Sequence, residues 1–409
     1  MKRKNKILEP AGMKAGHFFK LLPGDLIKLP PGSELFRLPS RAAVAYDPSA
    51  LEFVKDKNRL AAAAFLPPGY TVTYNSAYTE MGRPKKLPLF AYAACTSYKG
   101  EIYTAAVKVD NSLCHDSRFM DMHTARHNAR DIIKLFPENR LIRHLKNCAF
   151  VYNCPNAKNF FLKRYEGPLP TSPSCNAQCV GCISCQPERE CSVTQPRIRF
   201  VPSAEEVAEV ALFHIKNSRK AVVSFGQGCE GEPLLCAKII EKAVKIIRKN
   251  TQKGAINMNT NGSSPEAIMR LFDAGLDSIR VSMNSARKKY YTAYYNPAGY
   301  SFEDVIKSIK GARKRNKFVS INYLTMPGFT DSKDEFYALR KFLRIYGIDM
   351  IQWRNLNYDP LRYFKELAIR VDAPEILGVK EIMALLKKEF PVVRMGYFNS
   401  YEGINSRRL

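Results

Sequence analysis

Short apolar runs alternate with longer amphipathic ones through the second half of the chain. AVVSF (221–225), AINMN (255–259), SIRVSM (278–283), FVSINYL (318–324) and DMIQWR (349–354) are rich in Val, Ile and aromatics. Each predicts a short strand. Between them, the spacing of apolar positions predicts helices over 203–217, 232–249, 264–274, 301–315 and 331–346. Ser203 followed by Glu206 makes a capping box for the first helix. Alternating strands and helices imply parallel strands with right-handed crossovers. With one more strand leading into Cys175, the pattern predicts an α/β core over 166–360, a partial (β/α)6 barrel of TIM-like type. An open doubly wound sheet is the alternative.

The first part of the chain has a different texture. SRAAVAYDP (40–48), GYTVTYNSAY (69–78) and EIYTAAVKVD (101–110) read as strands bounded by turn residues. FMDMHTARHNARDIIKLF (119–136) and NRLIRHLKN (139–147) then read as helices. This predicts a smaller α+β N-terminal accessory domain over 1–165, with no role assigned. Residues 361–409 are expected to add a helix and a strand packed on the core.

In parallel α/β folds, ligands gather at the C-terminal ends of the strands. Here those ends are polar one after another: GQGCEGEP, NTNG, SMNS, TMPGFTD and RNLNYDP. A single polar strand end is commonly a helix cap. Five that converge on one rim favour a ligand site.

The formal net charge is +26, from 64 Lys and Arg against 38 Asp and Glu. Such a field attracts acidic proteins, anionic substrates or nucleic acid. The charge is spread without a long basic run, which does not favour nucleic acid. GARKRNKF (311–318) is explained by the dipole of a helix end. No apolar run is long enough to predict a transmembrane helix, so no membrane role is expected. The start, MKRKNKILEPAGMKAG, is basic with no apolar stretch behind it, and a cytoplasmic location is expected. In a reducing cytosol, cysteines serve more often as metal ligands or catalytic groups than as disulfides. The odd total of 11 also argues against full pairing.

Five cysteines crowd into TSPSCNAQCVGCISCQPEREC (171–191). Cys175, Cys179 and Cys182 are spaced CX3CX2C, and Cys185 and Cys191 follow. Thiolates close together on an irregular loop can wrap one iron–sulfur cubane. Zinc would prefer two separated CX2C knuckles, and no second knuckle is present. A four-cysteine electron-transfer cluster with Cys185 as fourth ligand is one reading. A cubane on three thiolates is the other, and it leaves one iron open to chelate a ligand. No spacing ties Cys95, Cys114, Cys148 and Cys154 to a metal, and they are read as core residues, with an auxiliary cluster or metal as the alternative. His123 and His127, four apart, lack the glutamate of a zinc-protease motif and are read as surface or interdomain histidines.

CNAQCVGC (175–182), at the end of the first predicted strand, resembles the cluster loop of the radical S-adenosylmethionine (radical SAM) superfamily. GCEGEP (228–233), after the next strand, resembles that superfamily's Gly-Gly-Glu-Pro element, with Glu230 where the first glycine usually stands. The resemblance implies a [4Fe–4S] cluster on Cys175, Cys179 and Cys182, with SAM on the open iron. It places Glu230, Gly231, Glu232 and Pro233 at the methionine amino group. Ser282 and Asn284 resemble the pair at the ribose hydroxyls. Asn259, Asn322 and Thr325 are further SAM contacts, and Arg354 is a partner for the SAM carboxylate or an anionic substrate group. Asn261, Gln352, Asn355 and Asn357 are weaker candidates on the same rim. Gly181 stands where the family often has an aromatic, and Ile183 is a substitute for stacking on adenine. The implied reaction is reductive cleavage of SAM to methionine and a 5′-deoxyadenosyl radical, which abstracts hydrogen from an unidentified substrate. A reduced ferredoxin or flavodoxin is the implied electron donor, such proteins being acidic. An RNA-modifying enzyme of the same superfamily is a further alternative.

Overall fold

A computed structural model describes residues 2–3, 6–186 and 191–407. The N-terminal region is built on a ten-stranded sheet whose pairings are antiparallel. Its spine is a long hairpin of Glu34–Asp47 against Glu52–Phe65, with register shifts between Arg37 and Ala43. Much of its core is alanine: Ala61, Ala63, Ala64, Ala93, Ala94, Ala105 and Ala106 are all buried. Small side chains let the layers approach closely but bury little apolar area each.

Three helices follow: α1 (Met122–Leu135), α2 (Arg140–Phe150) and α3 (Pro155–Phe161). Asp121 caps α1 by accepting from the His123 and Thr124 amides, and Asn139 caps α2 through the Ile142 amide. α3 escapes the periodicity because it is only seven residues long. Leu141, Leu145 and Phe160 lie in the same hydrophobic core as Val207, Val223 and Ile256. Residues 122–161 therefore pack with the barrel, although they precede residue 165.

The second sheet is parallel and has seven strands. They are β1 (Glu166–Pro168), β2 (Val222–Phe225), β3 (Ala255–Thr260), β4 (Ser278–Met283), β5 (Phe318–Thr325), β6 (Met350–Asn355) and β7 (Arg394–Gly396). Their spatial order follows chain order, each strand pairing with the next. A doubly wound sheet would reverse direction at a switch point. Here there is none, so the sheet is the curled half-barrel expected, lengthened by β7. Helices α4 (Ala204–Asn217), α5 (Ala237–Asn250), α6 (Pro265–Ala274), α7 (Lys288–Tyr295), α8 (Phe302–Lys314) and α9 (Lys333–Tyr346) fill the crossovers. α7 is an addition to the predicted set. It has no side-chain cap and mixes lysines with tyrosines, so its period is weak.

After β6 come α10 (Pro360–Glu366), α11 (Val379–Glu389), β7 and α12 (Tyr401–Asn405). The turn after β7 reaches back across the barrel. Asn399 donates to Glu166 on β1 at 3.0 Å and accepts from Gln352 on β6 at 3.0 Å.

The N-terminal sheet docks on the barrel through buried polar groups. Arg41 pairs with Asp359, the N-cap of α10, at 2.8 Å, and both are buried. Lys14 pairs with Asp331 at 3.1 Å. Asn355, at the end of β6, accepts from the Val72 amide and donates to the Tyr70 carbonyl, both at 2.9 Å. Breaking one partner of such a pair strands the other without water.

The Ser203–Glu206 capping box forms, and Glu206 also takes the Arg140 guanidinium at 2.7 Å. Burial opposes ionisation of Glu206, but Arg140 and the Ser203 amide outweigh it and hold the carboxyl at about 2. A depressed carboxyl stabilises the fold above its ordinary range and loses that contribution as pH falls. Glu206→Gln is expected to cost about 1–2 kcal/mol at neutral pH after allowance for solvent screening. The difference should narrow as pH falls toward about 2. Denaturant unfolding of both proteins across pH measures it.

Candidate active site

The loop carrying Cys175, Cys179 and Cys182 leaves β1 and is stitched at both ends. On one side, the amides of Gln178 and Val180 donate to the carbonyls of Tyr295 and Tyr294, at 3.0 and 2.9 Å. On the other, the Gly231 amide donates to Ser172 O at 2.7 Å and the Glu232 amide to Ser174 O at 2.9 Å. A β-carbon on Gly231 would lie 1.9 Å from Ser174 O. Only glycine lets the second loop come this close to the backbone entering Cys175.

The three thiols are half-buried. Their sulfurs are not all within 4.8 Å of one another, so they are too spread to converge on one ion. They are near enough that each alters the ionisation of another. Burial pushes the Cys175 and Cys179 thiols up, Cys179 well above its ordinary value. At Cys182 burial is outweighed by Ser184 and by the Arg197 guanidinium 3.6 Å away, and the thiol is lowered. Thiols spread along one loop, with a cation beside them, suit a cubane that takes a thiolate on each of three irons.

Glu232 is buried and faces this loop. Its carboxylate accepts from Thr260 Oγ1 at 2.5 Å, the Asn261 amide at 2.8 Å and the Leu234 amide at 3.1 Å. Burial raises its carboxyl to about 7. Among the described residues it has no cationic partner. A buried carboxylate with an unused lone pair and no cation is a receptor for an ammonium group.

Residues 169–341 match the family model described as the radical SAM superfamily. Those residues form a radical SAM domain. Radical SAM domains use a [4Fe–4S] cluster and SAM. The chain is 25% identical over 179 residues to the FeMo cofactor biosynthesis protein NifB of Klebsiella pneumoniae, covering 40% of this chain and 38% of NifB. It is 26% identical over 190 residues to an uncharacterized protein of Methanocaldococcus jannaschii, covering 44% of this chain and 64% of that protein. The chain thus spans less than two thirds of these relatives. A solved structure of anSMEcpe with bound AdoMet aligns at 14% identity and a TM-score of 0.41, over 57% of this chain and 64% of that one.

The remaining radical SAM candidates divide by where their side chains go. Ser282 and Asn322 are register partners on β4 and β5, and Asn322 pairs in turn with Gln352 on β6. Arg280 shares the Ser282 face by strand alternation. Arg354 shares the Gln352 face and lies over the Tyr397 ring. Several atoms here are buried without a partner: Asn322 Oδ1, Asn284 Oδ1 and Arg280 Nε. Orphaned buried polar atoms are groups whose bonding a polar ligand can complete. Burial, with Arg354 nearby, lowers Arg280 to about 9. An anion between these guanidiniums would relieve their repulsion.

Five candidates do structural work. Glu230 is a strut rather than a ligand. Its two oxygens accept from the amides of Gly226, Gln227, Thr171 and Ser172 and from the Thr171 hydroxyl. That saturates the carboxylate and welds the two loops together. Thr325 falls on the opposite strand face from Asn322, and its hydroxyl returns to Tyr323 O at 3.3 Å. Asn259 bridges Gly226 O and Asn257, fixing the turn after β2. Asn261 binds Asn176 of the cluster loop at 2.8 Å while its amide holds Glu232. Pro233 opens a short 3-10 helix that runs into α5.

The sequence reading missed the aromatic wall from α7. Tyr291, Tyr294 and Tyr295 are buried, with Tyr363 of α10 against Tyr294. A β-carbon on Gly181 would meet the Tyr294 hydroxyl at 2.9 Å, so α7 occupies the space an aromatic at 181 would fill. Ile183 lies against Gly228 of the Glu232 loop. His123 and His127 are exposed on α1, and Cys185 is exposed beyond the cluster loop.

Proposed function

We propose that the chain is a radical SAM enzyme in which Cys175, Cys179 and Cys182 hold the [4Fe–4S] cluster and leave one iron for SAM. The observation that carries this reading is Glu232, a buried carboxylate without a cation, held backbone to backbone against the cluster loop. Glu232 receives the SAM ammonium, with Gly231 permitting the approach and Pro233 setting the turn. Asn284, Ser282 and Asn322 take the ribose and neighbouring polar groups. Arg354 and Arg280 receive an anionic group in the barrel interior. When bound, the cluster and SAM supply an electron and a 5′-deoxyadenosyl radical for hydrogen abstraction from a substrate. The protein's own share is to orient those groups and exclude water, using the tyrosines of α7 as a wall. A reduced ferredoxin or flavodoxin is the proposed donor, drawn to the net charge of +26. A reducing cytoplasm suits such a cluster, and among the described residues no helix is long and apolar enough to cross a membrane.

Cys185 tests the arrangement against a four-cysteine electron-transfer site. The Cys185→Ala protein, reconstituted anaerobically, should keep its cluster and show an electron paramagnetic resonance signal that shifts when SAM is added. Loss of the cluster in this variant would identify a fourth thiolate and close the iron that SAM needs.

A further inference from the structure

His144 and Cys148 are four residues apart on α2, so both project from one face of that helix. That face meets the loop after β2, and there Cys229 closes a third corner. Cys148 Sγ lies 3.3 Å from His144 Nε2. The three ligand atoms all lie within 4.8 Å of one another, the only such group of His, Cys, Asp or Glu among the described residues. Cys148 and Cys229 are 1% and 3% exposed.

We propose that His144, Cys148 and Cys229 bind one zinc-type divalent cation, separate from the iron–sulfur cluster. Tetrahedral zinc, with bonds of about 2.0–2.3 Å to nitrogen and sulfur, sets its ligand atoms roughly 3.5–4 Å apart. The observed cluster is already on that scale, whereas the three loop thiols are not. One imidazole and two thiolates are a borderline-soft donor set, which selects zinc over calcium or magnesium.

One further observation points to a ligand. Gln195 is nine-tenths buried, and its amide is directed at the Cys148 sulfur without a full hydrogen bond to it. Cys154 opens α3 with its sulfur turned toward the Asn156 and Ala157 amides, and it is near enough to both thiols to influence them. It is not within 4.8 Å of all three ligand atoms, so the fourth position is left to water or another small ligand.

The ion would tie α2 to the segment just before Glu230 and Glu232. α2 belongs to the helices outside residues 169–341, so the cation would fasten an added element to the SAM loop. The inference does not rest on SAM binding, since its ligands lie outside the proposed SAM contacts.

Full-length protein from zinc-supplemented cells, reconstituted anaerobically, should contain about one zinc per chain beside about four irons. Zinc-edge X-ray absorption should show a mixed nitrogen and sulfur shell. His144→Ala and Cys148→Ser should each lower zinc more than about tenfold while iron is kept. An all-sulfur shell, indicating zinc in the cluster loop, would overturn the proposal. So would wild-type protein without zinc, or a Cys148–Cys229 disulfide in a non-reducing peptide map. The X-ray absorption and the peptide map use wild-type protein, so they decide the matter even where a variant fails to fold.

Discussion

Cys179→Ala is expected to leave a folded protein with less than about one iron per chain, against about four in the wild type. Cys179 is the one of the three whose thiol burial raises furthest above its ordinary value. Its loop is held independently of any metal by the Gln178 and Val180 amides on α7 and by the Gly231 and Glu232 amides on the other side. Removing one sulfur should therefore empty the site without unravelling the loop. SAM cleavage should fall by at least about 1000-fold, the loss expected when the reacting centre itself is gone. Iron analysis, circular dichroism and a SAM-cleavage assay on the same preparation separate loss of cluster from loss of fold.

The second large effect is at Glu232. Glu232→Gln keeps the size of the side chain and removes the charge. It should retain the cluster, because no thiol is touched, and weaken SAM binding by about 10- to 100-fold, the range for a hydrogen bond to a charged group worth about 1.5–3 kcal/mol. Calorimetric titration of the reconstituted protein with SAM reads this directly. SAM affinity equal to wild type would remove Glu232 from the site. Folding should be affected much less, because the wild-type carboxylate is already buried at a cost and raised to about 7. Glu230→Gln should behave in the opposite way. Its five donors hold two loops together, so it should lose thermal stability before it loses affinity.

The contrast between these two glutamates shows what was legible in the sequence. The polar strand ends and the CX3CX2C spacing were visible as local pattern, and both lie on the expected rim. The strand order was legible too, because each helix between strands is long enough to show its period. Glu230 could not be separated from Glu232 on the same grounds. What separates them is which backbone amides lie within reach, and those come from the loop beginning at Thr171. Thr325 is parted from Asn322 for a simpler reason: an odd step along a strand reverses the face.

α7 was missed because KKYYTAYY offers no capping signal and no clean apolar stripe. Yet its tyrosines wall the cluster loop, and Gly181 is their counterpart in the sequence. A glycine where a bulky residue is usual was the available signal. The meeting of Cys148 with Cys229 had no sequence signal at all. Their spacing fits no metal motif, and only the docking of α2 against the loop after β2 brings them together.

The central claim is that three cysteines hold a cluster whose open iron binds and reduces SAM. The most direct measurement is product analysis after anaerobic incubation of reconstituted protein with dithionite and SAM. Formation of 5′-deoxyadenosine and methionine, dependent on Cys175, Cys179 and Cys182 and independent of Cys185, is the predicted result. Intact SAM beside a fully loaded, reducible cluster would contradict it.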